Sequence, residues 1–162
     1  MLLTGVAFSQ VILAVHILAV VATFGVTFAY PLMALVARSD PRTAPGVHRL
    51  RMLIGQRLIN PGLLVVLLAG IYLASDLHQW KKFYVQWGFA AVVVLGALEG
   101  GVMIRGERKL ARLADRELGG SSPGGVTWSA EYSALRKRTA AVGGVMSLLV
   151  VVTVYLMTVG AP

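Results

Sequence analysis

Four long apolar runs, Phe8 to Ala37, Leu58 to Ser75, Tyr84 to Ile104 and Ala140 to Val159, constrain the fold of this chain more than any other feature. A helix rises about 1.5 Å per residue, so about 20 apolar residues cross the roughly 30 Å hydrocarbon core of a bilayer. Each run reaches that length or nearly so. Backbone N–H and C=O groups find no water in lipid, which leaves helices and closed barrels as spanning structures. The runs are unbroken and lack the period-two alternation of barrel strands. The expected fold is therefore an all-α membrane protein, a single four-transmembrane-helix bundle over residues 1–162 with spans about 8–37, 58–75, 84–104 and 140–159. Met1 to Gln10 carries no Lys or Arg, and the first run is too long for the apolar part of a secretory signal, so it is expected to remain as a span.

The basic residues sort by connection. Of the 15 Lys and Arg, five lie in the first connection (Arg38, Arg42, Arg49, Arg51, Arg57), eight in the third (Arg105, Arg108, Lys109, Arg112, Arg116, Arg136, Lys137, Arg138), and only Lys81 and Lys82 in the second. An excess of Lys and Arg marks the cytoplasmic side, which predicts an N-out/C-out bundle with loops one and three inside. Trp80, Phe83, Tyr84 and Trp87 around the short outer loop, and Trp128 and Tyr132 before the fourth span, suit the two interfacial layers.

With 57% hydrophobic and 14% charged residues, the composition lies outside the range of a soluble domain of this size. The net charge of +8 is matched by anionic lipid headgroups at the basic loops, and no nucleic-acid partner is expected. The chain has no cysteine, which excludes disulfides, thiolate zinc sites, iron–sulfur clusters and CxxCH haem attachment.

Between the spans, Ser39-Asp40-Pro41-Arg42-Thr43-Ala44-Pro45-Gly46 reads as a polar turn whose prolines and glycine exclude a regular helix. Leu50, Leu53, Ile54 and Leu58 then recur at helical spacing, an interfacial segment leading into span two, where Asn60 is placed to cap and Pro61 to kink or start the membrane part. Loop three predicts a cytoplasmic extension of the third helix, with Leu110, Leu113, Ala114 and Leu118 on one stripe and charges on the other. Gly119 to Gly125 is expected to end it in a flexible linker, 119–127.

Ionisable residues inside a span are costly and default to a functional or structural role with a named partner. Two stand out. His16 lies in the outer half of span one, where a neutral imidazole could hydrogen-bond a neighbouring span, relay a proton or ligate a haem iron. His78, just past span two on the same side, is the candidate second ligand, whereas His48 is expected in the cytoplasm. Glu99 lies in the inner half of span three, between Gly96 and Gly100, a GxxxG step that permits close helix approach. The cations at its depth are Arg57, Arg136 and Arg138, which predicts an ion pair tying span three to its neighbours, or a proton or cation pathway. No HExxH, GxSxG or phosphate-cradling GxxxxGK[ST] is present, and no metal site is expected.

His16 followed by Gly25 and Pro31, the segment Arg51-Met52-Leu53-Ile54-Gly55-Gln56-Arg57-Leu58-Ile59-Asn60-Pro61, Gly70 and a third span that opens near Trp87 carry a likeness over most of the chain. The sequence resembles a family of small bacterial four-span membrane proteins of unassigned function, and more distantly HemJ-type protoporphyrinogen oxidases and CopD-type copper-resistance proteins. The resemblance implies a bacterial plasma (inner) membrane location and, at the first-span histidine, contact with haem b or another tetrapyrrole through His16. The sequence departs from the HemJ type in its third span, where Gln86-Trp87-Gly88 opens the helix and Glu99 is the ionisable residue inside. Two other roles fit the residues: an accessory or assembly subunit that binds a membrane-protein partner or a second copy of itself, and a small proton-coupled transporter using Glu99.

Overall fold

The computed structural model describes residues 8–120 and 126–160. Among these there is no strand, and four helices are long and apolar enough to cross a membrane: α1 (Phe8–Ser39), α2 (Pro41–Asp76), α3 (Phe83–Gly119) and α4 (Ala130–Gly160). The chain is an all-α, multi-pass membrane protein. Successive helices pack on one another, α1 on α2, α2 on α3 and α3 on α4. The middle two form the centre, while α1 and α4 present large apolar side chains such as Phe28 and Leu148 outward, 73% and 65% exposed. In water such a surface would be a liability; in a bilayer it meets acyl chains.

Two cores hold the helices together, and they rest on different physics. Ile59, Leu63 and Leu95 sit at the middle of the apolar part, with Phe24, Tyr30, Met146 and Val150 packed around them. Lipid tails are as apolar as these side chains, so this core is held by close packing rather than by exclusion of water. At the basic end, Leu110, Leu113, Ala114 and Tyr132 bury against Ala44, with Trp128 and Leu135 over them. That cluster lies beyond the apolar runs, where burial of Leu110 removes surface from water and contributes about 1.5–3 kcal/mol. The extension of the third helix is observed, and its apolar stripe is what α2 packs on.

The first connection differs from the expected polar turn. A single extended residue, Asp40 (φ −131°, ψ 99°), breaks the chain, and its carboxylate accepts the backbone N–H of Arg42 at 3.0 Å. Pro41 and Pro45 then occupy first turns, where a missing N–H costs nothing. Helix continues through the whole segment. Asn60 does not cap a new helix either, because α2 runs unbroken past it. Pro61 is accommodated by the wide π-turn Gly55–Ile59 just before it, in which Asn60 N–H donates to the Gly55 carbonyl; a widened turn relieves the clash a proline ring makes with the preceding carbonyl. The fourth helix begins at Ala130, ten residues ahead of its apolar run. Of the expected linker 119–127, Ser121 to Gly125 lie outside the described residues.

Candidate functional site

A second π-turn, Glu99–Met103, lies in α3 and packs directly on the π-turn of α2. Such turns insert one residue into a helix, which swings the following side chains by about 100° and recurs at functional positions. Here the pair brings Glu99 against the backbone of Gly55: a side-chain carbon at Gly55 would collide with Glu99 Oε1. Glu99 is 4% exposed. Its carboxyl makes no hydrogen bond or ion pair among the described residues. It lines a cavity of about 40 Å³ together with Thr27, Tyr30 and Ser147, room enough for a water molecule.

The expected partners of Glu99 are elsewhere. Arg57 and Arg138 are exposed, as is Arg136, and none of them pairs with the carboxyl. The GxxxG step is not the contact either: Gly96 faces Leu63 of α2, and nothing packs on Gly100. Helix α4 approaches further along, at Gly143 over Met103 and at Thr139 over Gly106.

Toward the basic end, the neighbourhood of Glu99 continues into a buried network. Arg51 donates to the Tyr30 backbone carbonyl, lies 5.2 Å from the Tyr30 ring centroid and reaches Glu107 at 3.6 Å. Glu107 in turn accepts from His48 Nδ1 at 2.5 Å, and His48 Nε2 lies 2.9 Å from the Tyr132 hydroxyl. A carboxylate on Nδ1 fixes the ring proton there, so in the neutral ring Nε2 accepts from the tyrosine O–H. Glu107, His48 and Tyr132 are all buried, and they link α2, α3 and α4 through hydrogen bonds that offset the cost of burying a carboxylate.

Toward the other end, polar atoms without partners mark the α1–α2 seam. Among the described residues, four buried side-chain atoms lack a hydrogen bond: His16 Nδ1, Thr23 Oγ1, Tyr30 Oη and Arg51 Nε. The first three belong to α1; His16 and Thr23, seven residues and two α-helical turns apart, share a stripe, and Tyr30 follows the 3-10 turn Val26–Ala29. Thr23 packs on Gly62, where a side-chain carbon would overlap its hydroxyl, and the His16 ring edge lies over Gly70. Native proteins leave few such groups, and each asks for a water, an ion or a role.

His78 does not join His16. It is exposed, holds a positive φ of 55° in the turn after α2, and its Nδ1 faces the Asp76 carbonyl at 3.1 Å. Eight residues past Gly70, it sits about 12 Å further along the helix axis than the level at which His16 packs. The structure therefore does not bring the two imidazoles together. No set of three or more metal-ligating side chains occurs among the described residues.

The sequence held signals for what was missed. Ala44, His48, Arg51 and Gly55 recur at helical spacing, and Glu107 shares a stripe with Leu110, Ala111 and Ala114, so both His48 and Glu107 belong to buried faces. Tyr132 likewise is a core residue rather than part of an interfacial belt, stacked on Trp128 at 4.3 Å. No protein-family model, curated protein or solved structure matches the chain.

Proposed function

We propose that this chain is a small membrane proton carrier in which Glu99 takes up and releases the proton. One observation carries the reading: a carboxyl 4% exposed, within an apolar span, without an ion pair or hydrogen bond among the described residues. An intramembrane carboxyl in that setting is expensive unless it works, and a neutral, protonated form is the cheap one. The π-turn that Glu99 opens and the one that faces it on α2 supply helices that can change register locally, and the cavity beside it can hold the water a proton moves through. Tyr30, which lines the same cavity, carries Arg51 on its ring and Arg51 reaches Glu107 at the basic end, while buried polar atoms without a hydrogen bond on Thr23 and His16 lead toward the other.

The same reading takes the basic end as cytoplasmic, among anionic headgroups, with both termini outside and a bacterial plasma membrane as the setting. Cysteines introduced at Gln79 and Gly120 of this cysteine-free chain test that frame: an impermeant thiol reagent added outside should label Gln79 and spare Gly120.

The function itself is tested in liposomes loaded with a pH-sensitive dye, with the potential clamped by potassium and valinomycin. Wild-type protein should speed dissipation of an imposed pH gradient, and Glu99→Gln should return it to the rate of empty liposomes. Equal rates for the two proteins would end the reading.

A second reading, tetrapyrrole contact at His16, draws on the unpartnered Nδ1 and on the resemblance to HemJ-type proteins. It requires a Soret band in protein purified after haem supplementation, and loss of that band in His16→Ala.

A further inference from the structure

The basic end of α3 carries a stripe of cations that proton handling does not use. Arg105, Arg108, Lys109, Arg112 and Arg116 are all exposed, and all line one open groove of about 360 Å³ completed by Leu113 and by Glu131 of α4. At about 100° per residue, their positions fall within an arc of about 100°. The carboxylates beyond the span on this helix have other partners: Glu107 has His48 and Arg51, Asp115 has Arg49 at 2.5 Å, and Glu117 has Ser129. Within the groove one ion pair forms, Lys109 Nζ to Glu131 Oε1 at 2.7 Å.

Like charges three and four residues apart on a helix repel. Membrane orientation needs Lys and Arg near the span ends, and places no demand that they share a face. The stripe is therefore unfavourable by itself and becomes favourable with an anion between the guanidiniums, whose planar forks match phosphate oxygens in pairs.

Length identifies the anion further. From Arg105 to Arg116 the helix rises about 16 Å. The headgroup layer beyond the hydrocarbon is only about 5–8 Å deep on each side. Since the apolar run ends at Ile104, Arg105 and Arg108 fall at headgroup level while Arg112 and Arg116 stand beyond it. One headgroup phosphate cannot meet both ends of the groove. We infer that the groove binds an anion carrying two or more phosphate groups, laid along α3. A soluble oligophosphate and a lipid with a two-phosphate headgroup share that chemistry.

The test uses the full chain in nanodiscs of zwitterionic lipid, titrated calorimetrically with inorganic tripolyphosphate, and in parallel nanodiscs doped with a two-phosphate or a one-phosphate anionic lipid, read by thermal stability. Tripolyphosphate should bind the wild type, and Arg112→Gln with Arg116→Gln should weaken it by about tenfold or more, as loss of two charge-assisted contacts requires. Arg38→Gln with Arg42→Gln, which removes two exposed charges from the same end, should leave it unchanged. Stabilisation by the two-phosphate lipid alone, lost in the Arg112/Arg116 variant, assigns the groove to a lipid. Binding that ignores Arg112 and Arg116, equal response to inorganic phosphate and one-phosphate lipid, or no response in either arm overturns the inference. None of these readouts depends on proton flux, so the groove and the carrier reading stand or fall separately.

Discussion

Glu99 Oε1 occupies the space that any side chain at Gly55 would need, so the π-turns of α2 and α3 meet through one carboxyl oxygen and one bare backbone. A methyl group at residue 55 must displace the carboxyl, the helix or both. Overpacking of a close site costs about 1–3 kcal/mol. Gly55→Ala should therefore lower the thermal unfolding temperature in detergent and also depress proton flux, whereas Gly100→Ala, where nothing packs, should do neither.

The α1–α2 seam makes an opposing pair of expectations. Thr23→Val keeps the shape of the side chain and removes a buried hydroxyl without a partner, so stability should hold or rise by about 1 kcal/mol. Gly62→Ala places a carbon where that hydroxyl sits and should destabilise. If the stripe conducts, the stable Thr23→Val protein should carry protons more slowly than wild type. Unchanged flux in that variant would remove the stripe from the path.

In the Glu107–His48–Tyr132 network the partners are not equivalent. Tyr132→Phe deletes one neutral hydrogen bond and should cost about 1 kcal/mol. Glu107→Ala removes the acceptor that His48 and Arg51 share, leaving buried groups uncompensated, for about 3–5 kcal/mol. Thermal denaturation of the single and double variants, arranged as a cycle, should show coupling between residues 107 and 132 of at least about 0.5 kcal/mol. Simple additivity would mean the three side chains are neighbours without being a network.

Burial from water should matter at one end only. Leu110, 1% exposed in the core at the basic end, should lose about 2–5 kcal/mol on truncation to alanine. Leu148→Ala on the outward face of α4 should change detergent stability by less than about 0.5 kcal/mol.

Much of the architecture was legible because lipid leaves few choices. Four apolar runs of sufficient length became four helices, and the stripe of Leu110, Leu113 and Ala114 became the packed face of the third helix beyond its span. The boundaries were less legible. Pro41, Pro45 and Pro61 looked like interruptions, yet two of them open helical turns and the third follows a π-turn that makes room for it. A π-turn shifts the phase of the side chains after it by about 100°, and a run that is apolar on every side hides that shift.

The site divides the same way. His16 and Glu99 were recognisable from sequence because an ionisable group in an apolar run stands out by composition. Their partners were not. Arg57 and Arg138 share a depth with Glu99 but point to the surface, while Gly55 lies against its carboxyl and Tyr30 lines the same cavity, because helix rotation and the two π-turns decide which face looks inward. The place of His48 in a basic loop predicts only its side of the membrane, and the packing of α2 on α3 buries it against Glu107.

Hydrophobicity and length are properties of each segment alone, and they sufficed to determine the helical class and number of spans from sequence. Which buried polar groups meet depends on the angle at which helices turn toward one another. That was decided only in the tertiary structure, where a single bare residue at Gly55 sets the place of Glu99.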